Sequence, residues 1–161
     1  MEEIIRGTSC YANAHSGNLV SITGDGGNAW GFYGNAYKKL APSWKLYEYW
    51  RDNPDNLSDI ELIEYYIREY YYHRLVNLKA EELLLRLKEK FGTNIILLCH
   101  ELPSESPIMT KEHFCHRRLD ADFIELETGI IIPEIGISKE GIVSTYEQPD
   151  YKPILKKVMK R

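Results

Sequence analysis

Two short segments hold most of the reactive side chains of this 161-residue chain. Residues 97–101 read LLCHE and residues 114–118 read FCHRR. The first segment ends an apolar run of strand length, and the second opens a run that is typical of a helix. Backbone N–H groups and the dipole at a helix N-terminus favour an anion, and arginine adds forked donors. The pattern therefore predicts a site for a phosphate-bearing ligand near Cys115.

Further candidate contacts follow the predicted strands or lie in the loop at residues 30–42, and Arg74 lies in the helix predicted at residues 59–77. In open α/β sheets ligands bind at the carboxyl ends of strands, so residues that follow strands are expected to converge there. The loop is aromatic and carries two lysines, which favours stacking of a flat base. The predicted function is therefore binding of a phosphate-bearing nucleotide or nucleotide-derived small molecule at the strand ends and the N-terminus of the helix that begins near Cys115. The predicted ligand-binding residues are Ser9, Cys10, Tyr11, Thr23, Gly24, Trp30, Tyr37, Lys38, Lys39, Arg74, Cys99, His100, Cys115, His116, Arg117 and Arg118.

The two arginines after Cys115 also have a structural explanation. Arg117 and Arg118 could form surface ion pairs with Asp120, Asp122 or Glu101. Such pairs contribute about 1 kcal/mol or less to stability. Phosphate binding and ion pairing therefore both remain open for these side chains.

Acid–base chemistry is a second possibility for the same strand ends. Glu101 at the end of a predicted strand, with His100 or His116 nearby, could activate a water molecule against a phosphoester or N-glycosidic bond. Asp25 is another carboxylate within reach. The spacing does not choose between binding and hydrolysis, so a hydrolase with Glu101 or Asp25 as base stays as the alternative function.

The cysteines and histidines raise the question of a thiol or metal site. Cys115 at a helix N-terminus should be more thiolate-like than a free thiol, but the arginine spacing does not fit a phosphatase loop. Five possible zinc ligands lack the usual CxxC or HxxxH pairs, and neighbouring side chains on a strand point to opposite faces. We therefore expect no cofactor, with zinc as an alternative in which His113 and Cys115 chelate together. The five residues are Cys99, His100, His113, Cys115 and His116.

Strands and helices alternate along the chain. Apolar runs predict strands at residues 3–9, 18–23, 94–99 and 129–132, with a possible edge hairpin at 135–144. Helical periodicity predicts helices at residues 44–51, 59–77, 79–91 and 114–128. Their expected ends are an N-cap at Ser43, a capping box from Ser58 to Glu61, and glycine caps at Gly92 and Gly129.

This order predicts a single α/β domain of Rossmann-like type, with a short, mostly parallel sheet flanked by helices. The domain is expected to span residues 1–145, and residues 146–161 form a basic C-terminal tail. The tyrosines at residues 65–72 are explained either by core packing or by one or two of them reaching the ligand with Arg74.

Composition excludes several classes of partner. The net charge of −4 provides no basic field for duplex nucleic acid. No apolar run approaches the roughly 20 residues that cross a bilayer, and the N-terminus does not resemble a signal peptide. Three cysteines are typical of a reducing compartment, which predicts a cytoplasmic location. A homo-oligomer remains open.

Four blocks of sequence resemble a known family. Residues 8–13 (TSCYAN), 36–43 (AYKKLAPS), 97–101 (LLCHE) and 114–119 (FCHRRL) occur in the same order in the bacterial and phage family catalogued as domain of unknown function 488. The resemblance implies a compact Rossmann-like fold and no established reaction. It also permits a phage-encoded protein that sequesters a nucleotide-derived host defence signal. The chain departs from the family in its longer loop before Phe114 and its glycine-rich residues 24–27.

Overall fold

The computed structural model of the protein describes residues 3–25, 28–29 and 31–160. The strands in these ranges are β1 (Ile5–Cys10), β2 (Asn18–Ser21), β3 (Asn28–Ala29), β4 (Phe32–Tyr33), β5 (Asn35–Ala36), β6 (Ile95–Cys99), β7 (Glu134–Ile137) and β8 (Val143–Tyr146). The α-helices are α1 (Trp44–Asp52), α2 (Asp59–Tyr70), α3 (Ala80–Phe91), α4 (His116–Thr128) and α5 (Lys152–Met159). A 3₁₀ turn (Lys38–Leu40) precedes α1, and a π-helical turn (Tyr71–Leu75) extends α2.

Six strands form one sheet in the order β5-β2-β6-β1-β7-β8. All neighbours in it are parallel except β7 and β8, which form the antiparallel edge hairpin. Strands β3 and β4 form a separate antiparallel pair. The prediction of a single α/β domain of Rossmann-like type with a mostly parallel sheet is confirmed.

The alternation of side chains along β6 decides which residues meet the helices. Ile95, Leu97 and Cys99 belong to the larger hydrophobic cluster, which also contains the buried helix residues. Ile96 and Leu98 point to the other face, where strand and loop residues form a smaller cluster. All five positions of β6 are buried, as expected of a central parallel strand. Cys99 therefore ends β6 on the helical face.

Local capping fixes the two helices next to the site. The Ser43 hydroxyl accepts a hydrogen bond of 3.1 Å from the Leu46 N–H and begins α1. Asn53, at a positive φ of 43°, ends it. Ser58 and Glu61 form the predicted capping box at the start of α2, with bonds of 3.1 and 3.2 Å.

The strand predicted at residues 129–132 is wrong. Ile131 is 75% exposed, and the strand begins at Glu134 instead, after Pro133. The Pro133 carbonyl accepts a 2.9 Å hydrogen bond from the Thr8 N–H, so pairing with β1 starts at the proline and continues beyond it. Apolar character alone does not reveal this shift.

The predicted basic tail contains a packed helix. In α5, Leu155 is fully buried, and the Tyr151 ring lies 5.3 Å from the Phe114 ring. Lys152 pairs with Glu125 of α4 at 3.0 Å. Among the described residues, no helix has both the length and the apolar character that a bilayer crossing requires.

Candidate functional site

A cavity of about 450 Å³ opens where β2 and β6 end, between α1 and the first turn of α4. Strand ends, two helices and a helix start all contribute to its wall, which is the position expected for a ligand in an open α/β sheet. The lining residues are Thr23, Gly24, Asp25, Pro42, Trp44, Tyr47, Trp50, Arg51, Tyr66, Cys99, His100, Glu101, Phe114, Cys115 and His116.

Helix α1 provides an aromatic platform. Trp44 and Tyr47 stack with their ring centroids 5.4 Å apart, and they remain 66% and 42% exposed. The Arg51 guanidinium lies 5.9 Å from the Trp44 ring and 5.8 Å from the Tyr47 ring. Spacings of three and seven residues place all three side chains on one face of the helix. The platform is therefore a solvent-accessible aromatic surface with a cation beside it.

Deeper in the cavity, packed aromatic rings form the wall. The Trp50 ring lies 4.8 Å from the Phe114 ring, and Phe114 in turn lies 4.9 Å from Tyr66. Burial raises the pKa of Tyr66 well above its usual value, helped by Glu101. The Tyr66 hydroxyl is thus neutral at physiological pH.

Cys99, Cys115 and His116 form a buried cluster at one side of the cavity. The two cysteines are joined as a disulfide across the ends of β6 and α4, a pairing that the sequence does not predict. The Cys99 Sγ lies 3.6 Å from His116 Nδ1, and His116 Nε2 lies 2.7 Å from the Ile22 carbonyl oxygen. Burial lowers the pKa of His116 to about 4, so the ring is neutral and donates its Nε2 hydrogen to Ile22.

The first turn of α4 explains why Cys115 and His116 lie together. Cys115 is the extended N-cap residue, and the helix begins at His116, so the alternation expected along a strand does not apply to this pair. His113, which the sequence links with Cys115 as a chelating pair, instead lies 3.3 Å from the Leu102 carbonyl oxygen.

An imidazole and a carboxylate also meet in the lining of the cavity. His100 Nε2 lies 2.6 Å from an Asp25 carboxylate oxygen, and both side chains are partly exposed. The Tyr11 ring packs edge-on against His100 at 5.1 Å. Glu101 lines the same cavity. Both carboxylates predicted as possible bases therefore reach the site, and Asp25 does so with a histidine partner.

The two arginines after Cys115 do not line the cavity. Arg117 is fully buried and forms a bidentate pair with Glu134, with N–O distances of 2.8 and 2.9 Å. Arg118 donates to the Thr8 hydroxyl at 2.8 Å and to the Ile132 carbonyl at 2.9 Å. The explanation by ion pairing thus applies to Arg117, although its partner is Glu134 and the pair is buried rather than on the surface.

The remaining predicted residues divide into those that line the cavity and those that do not. Those that line the cavity are Thr23, Gly24, Asp25, Cys99, His100, Glu101, Cys115 and His116. Those placed elsewhere, besides the two arginines, are Ser9, Cys10, Tyr11, Tyr37, Lys38, Lys39 and Arg74. Trp30 lies outside the described residues.

The residues that do not line the cavity form hydrogen bonds elsewhere, are buried in the core or are exposed to solvent. Ser9 donates to the Ile135 carbonyl at 2.6 Å, and Arg74 donates to the Ala41 carbonyl at 2.6 Å. The Tyr11 hydroxyl lies within hydrogen-bonding distance of Ser21 and Thr23. Cys10 and Tyr37 are buried, whereas Lys38 and Lys39 are exposed on the 3₁₀ turn.

The sequence does not identify the platform as part of the site. Trp44, Tyr47, Trp50 and Arg51 all lie in the helix predicted at residues 44–51. The sequence does contain a signal, because the spacing of Trp44, Tyr47 and Arg51 predicts two aromatic rings and an arginine on one helix face.

Comparison with known proteins identified no relative of this chain. No protein-family model, curated protein or solved structure significantly matches the chain.

Proposed function

We propose that the protein binds a small molecule with a flat aromatic ring and a negative group, of which a nucleotide or nucleotide derivative is the natural class. The observation that carries this proposal is the exposed stack of Trp44 and Tyr47 at the cavity mouth. Stacking of a base on an aromatic side chain contributes about 1–3 kcal/mol. The volume of about 450 Å³ is within the range of roughly 300–1,000 Å³ typical of small-molecule sites.

The negative group has two candidate positions. Arg51 lies beside the platform, and the first turn of α4 meets the cavity through Cys115 and His116. A helix N-terminus favours negative charge. Arg51 also pairs with the exposed Asp52 at 2.9 Å, so an anion there would share the guanidinium with that carboxylate. Since Arg117 and Arg118 are committed in the interior, this proposal rests on the platform and the helix start rather than on the arginines after Cys115.

Calorimetric titration with adenosine, guanosine, cytidine and uridine monophosphates tests the proposal. We expect saturable binding of at least one of them by the native protein. Trp44→Ala should weaken that binding roughly 5- to 150-fold, the equivalent of about 1–3 kcal/mol. Tyr72→Ala is the matched control, since Tyr72 is also an exposed aromatic residue, at 52%, but is not part of the cavity lining. Equal affinity of the two variants, or no heat with any nucleotide, would contradict the proposal.

Hydrolysis of the bound molecule is the second candidate. The 2.6 Å contact between His100 and Asp25 favours it, because a carboxylate that orients an imidazole is a common arrangement for general base catalysis. Glu101 is the other carboxylate that could act as base. Incubating protein and nucleotide, denaturing the protein and recovering the nucleotide separates the two functions. An unaltered nucleotide supports binding alone, including the sequestering role that the family resemblance permits. An altered nucleotide whose formation stops with Asp25→Asn supports hydrolysis.

A further inference from the structure

The Cys99–Cys115–His116 cluster has the donor set of a metal site. The two Sγ atoms and a ring nitrogen of His116 all lie within 4.8 Å of one another, and all three residues are buried. Each of them also lines the cavity. Thiolate and imidazole donors together are the usual ligands of zinc.

The orientation of the imidazole supports this role. His116 Nε2 donates to the Ile22 carbonyl at 2.7 Å, so Nδ1 is the ring nitrogen that can ligate a metal. Within the described chain, the hydrogen-bonding contacts of Nδ1 are the sulfur atoms of Cys99 at 3.6 Å and Cys115 at 3.9 Å. A backbone carbonyl that fixes the tautomer of a histidine and aims its free nitrogen inward is typical of metal-ligating histidines.

Within the part of the chain that the structure describes, the disulfide leaves this nitrogen without a hydrogen-bond donor. Neither sulfur of a disulfide carries a hydrogen, so neither can donate to the Nδ1 lone pair of His116. A buried acceptor that lacks a donor is unfavourable. Reduction gives two thiols, and a metal ion would then use both sulfurs and the nitrogen together.

We propose that the reduced protein binds one zinc ion through Cys99 Sγ, Cys115 Sγ and His116 Nδ1, with the fourth coordination position facing the cavity. Two thiol groups of a reductant together supply two electrons and two protons to open the disulfide, and they become a disulfide themselves. Zinc binding then releases the two thiol protons. Two thiolates balance the charge of Zn²⁺, which suits a buried site.

The open fourth position would give the zinc ion a role in ligand binding. Three protein ligands with one open position are typical of catalytic zinc sites, whereas structural zinc sites are closed by four protein ligands. A phosphate or other anionic group of a ligand would coordinate there. This second step rests on the proposed nucleotide function, whereas zinc binding itself is measured without a nucleotide.

Cobalt titration of the full-length protein tests the metal site. The protein is reduced with a phosphine, freed of metal under anaerobic conditions and titrated with Co²⁺, followed by Zn²⁺. We expect one Co²⁺ per chain, an intense sulfur-to-cobalt charge-transfer band and complete displacement by Zn²⁺. Cys99→Ser, Cys115→Ser and His116→Gln should each lower the affinity at least tenfold. Cys10→Ser should retain it, because Cys10 is the other buried cysteine and lies outside the cluster.

A measurement on the native sequence covers the case in which a variant fails to fold. Competition between the reduced protein and a chromophoric zinc chelator should give one bound zinc per chain. Three reactive thiols after reduction and denaturation without metal verify that the disulfide opened. A persistent disulfide, a stoichiometry near zero, or equal loss of cobalt binding in Cys10→Ser would overturn the proposal.

Discussion

Replacing Glu134 with glutamine should destabilise the protein severely. Arg117 and Glu134 are both fully buried, and two N–O contacts of 2.8 and 2.9 Å join them. Glu134 also accepts a 2.7 Å hydrogen bond from the Thr8 hydroxyl. Glutamine keeps the size of the side chain but removes its charge. The Arg117 guanidinium would then lie in the interior without the carboxylate that pairs with it.

The magnitude follows from the burial of the pair. Breaking a buried ion pair from one side costs about 3–5 kcal/mol, which is a large part of the roughly 5–15 kcal/mol that stabilises a typical domain. For a chain of this size, each 1 kcal/mol lowers Tm by about 2–4 °C. Glu134→Gln should therefore lower Tm by about 6–20 °C. Circular dichroism during heating and urea unfolding both measure this change.

Two further variants make the result specific. Asp52→Asn breaks the exposed Arg51–Asp52 pair, whose N–O distance is 2.9 Å, and should change stability by less than about 1 kcal/mol. Arg117→Met combined with Glu134→Gln should be more stable than Glu134→Gln alone, because no unpaired charge remains. A loss below about 1 kcal/mol for Glu134→Gln would refute this account of Arg117 and restore it as a candidate ligand contact.

Two more predictions concern α2 and a buried carboxyl group. Burial raises the pKa of Asp120 well above its usual value, which favours the protonated carboxyl in the folded protein. The Tyr70 hydroxyl has two acceptors for its hydrogen, the Leu40 carbonyl oxygen at 2.7 Å and Asp120 Oδ1 at 2.9 Å. Because the folded pKa is the higher one, this contribution to stability is complete below pH 3.8 and is lost as pH rises through the folded pKa. Urea unfolding across pH should show native stability falling relative to Asp120→Asn, by at most about 1.4 kcal/mol per pH unit; parallel curves would contradict this. Ser58→Ala should cost about 0.5–2 kcal/mol in the same assay, because it removes the capping box with Glu61; an unchanged free energy of unfolding would count against the cap.

The sequence predicts much of the fold because the signals are local. Neighbouring residues alone are enough to recognise the helix starts at Ser43 and Ser58 and the buried strand at residues 95–99. The structure confirms these three elements. Recognition of strand β7 from the sequence needs information about distant residues. Its Glu134 is a charged residue that is buried only because Arg117 of α4 pairs with it, and this contact joins distant parts of the chain.

The site is only partly predictable for a related reason. Residues in a helix are separated by about 100° around the axis, so the first helical residue decides which side chains face a ligand. Because α4 begins at His116, Cys115 and His116 meet the cavity and Arg117 turns into the core. Helix boundaries read from sequence are uncertain by one or two residues, which is enough to reverse these roles. The Trp44 platform needed no tertiary information beyond its helical spacing.

The most direct test of the central claim follows the tryptophan indole signals by NMR while adenosine, guanosine, cytidine and uridine monophosphates are added in separate titrations, and the nucleotide that binds in calorimetry decides the result. Trp44 and Trp50 both line the cavity, and replacing each in turn assigns its indole N–H signal. We expect both signals to shift and to saturate together at one nucleotide per chain. If both remain unchanged while the largest shifts occur around Lys38 and Lys39, the ligand binds at the basic turn and the cavity is not its site.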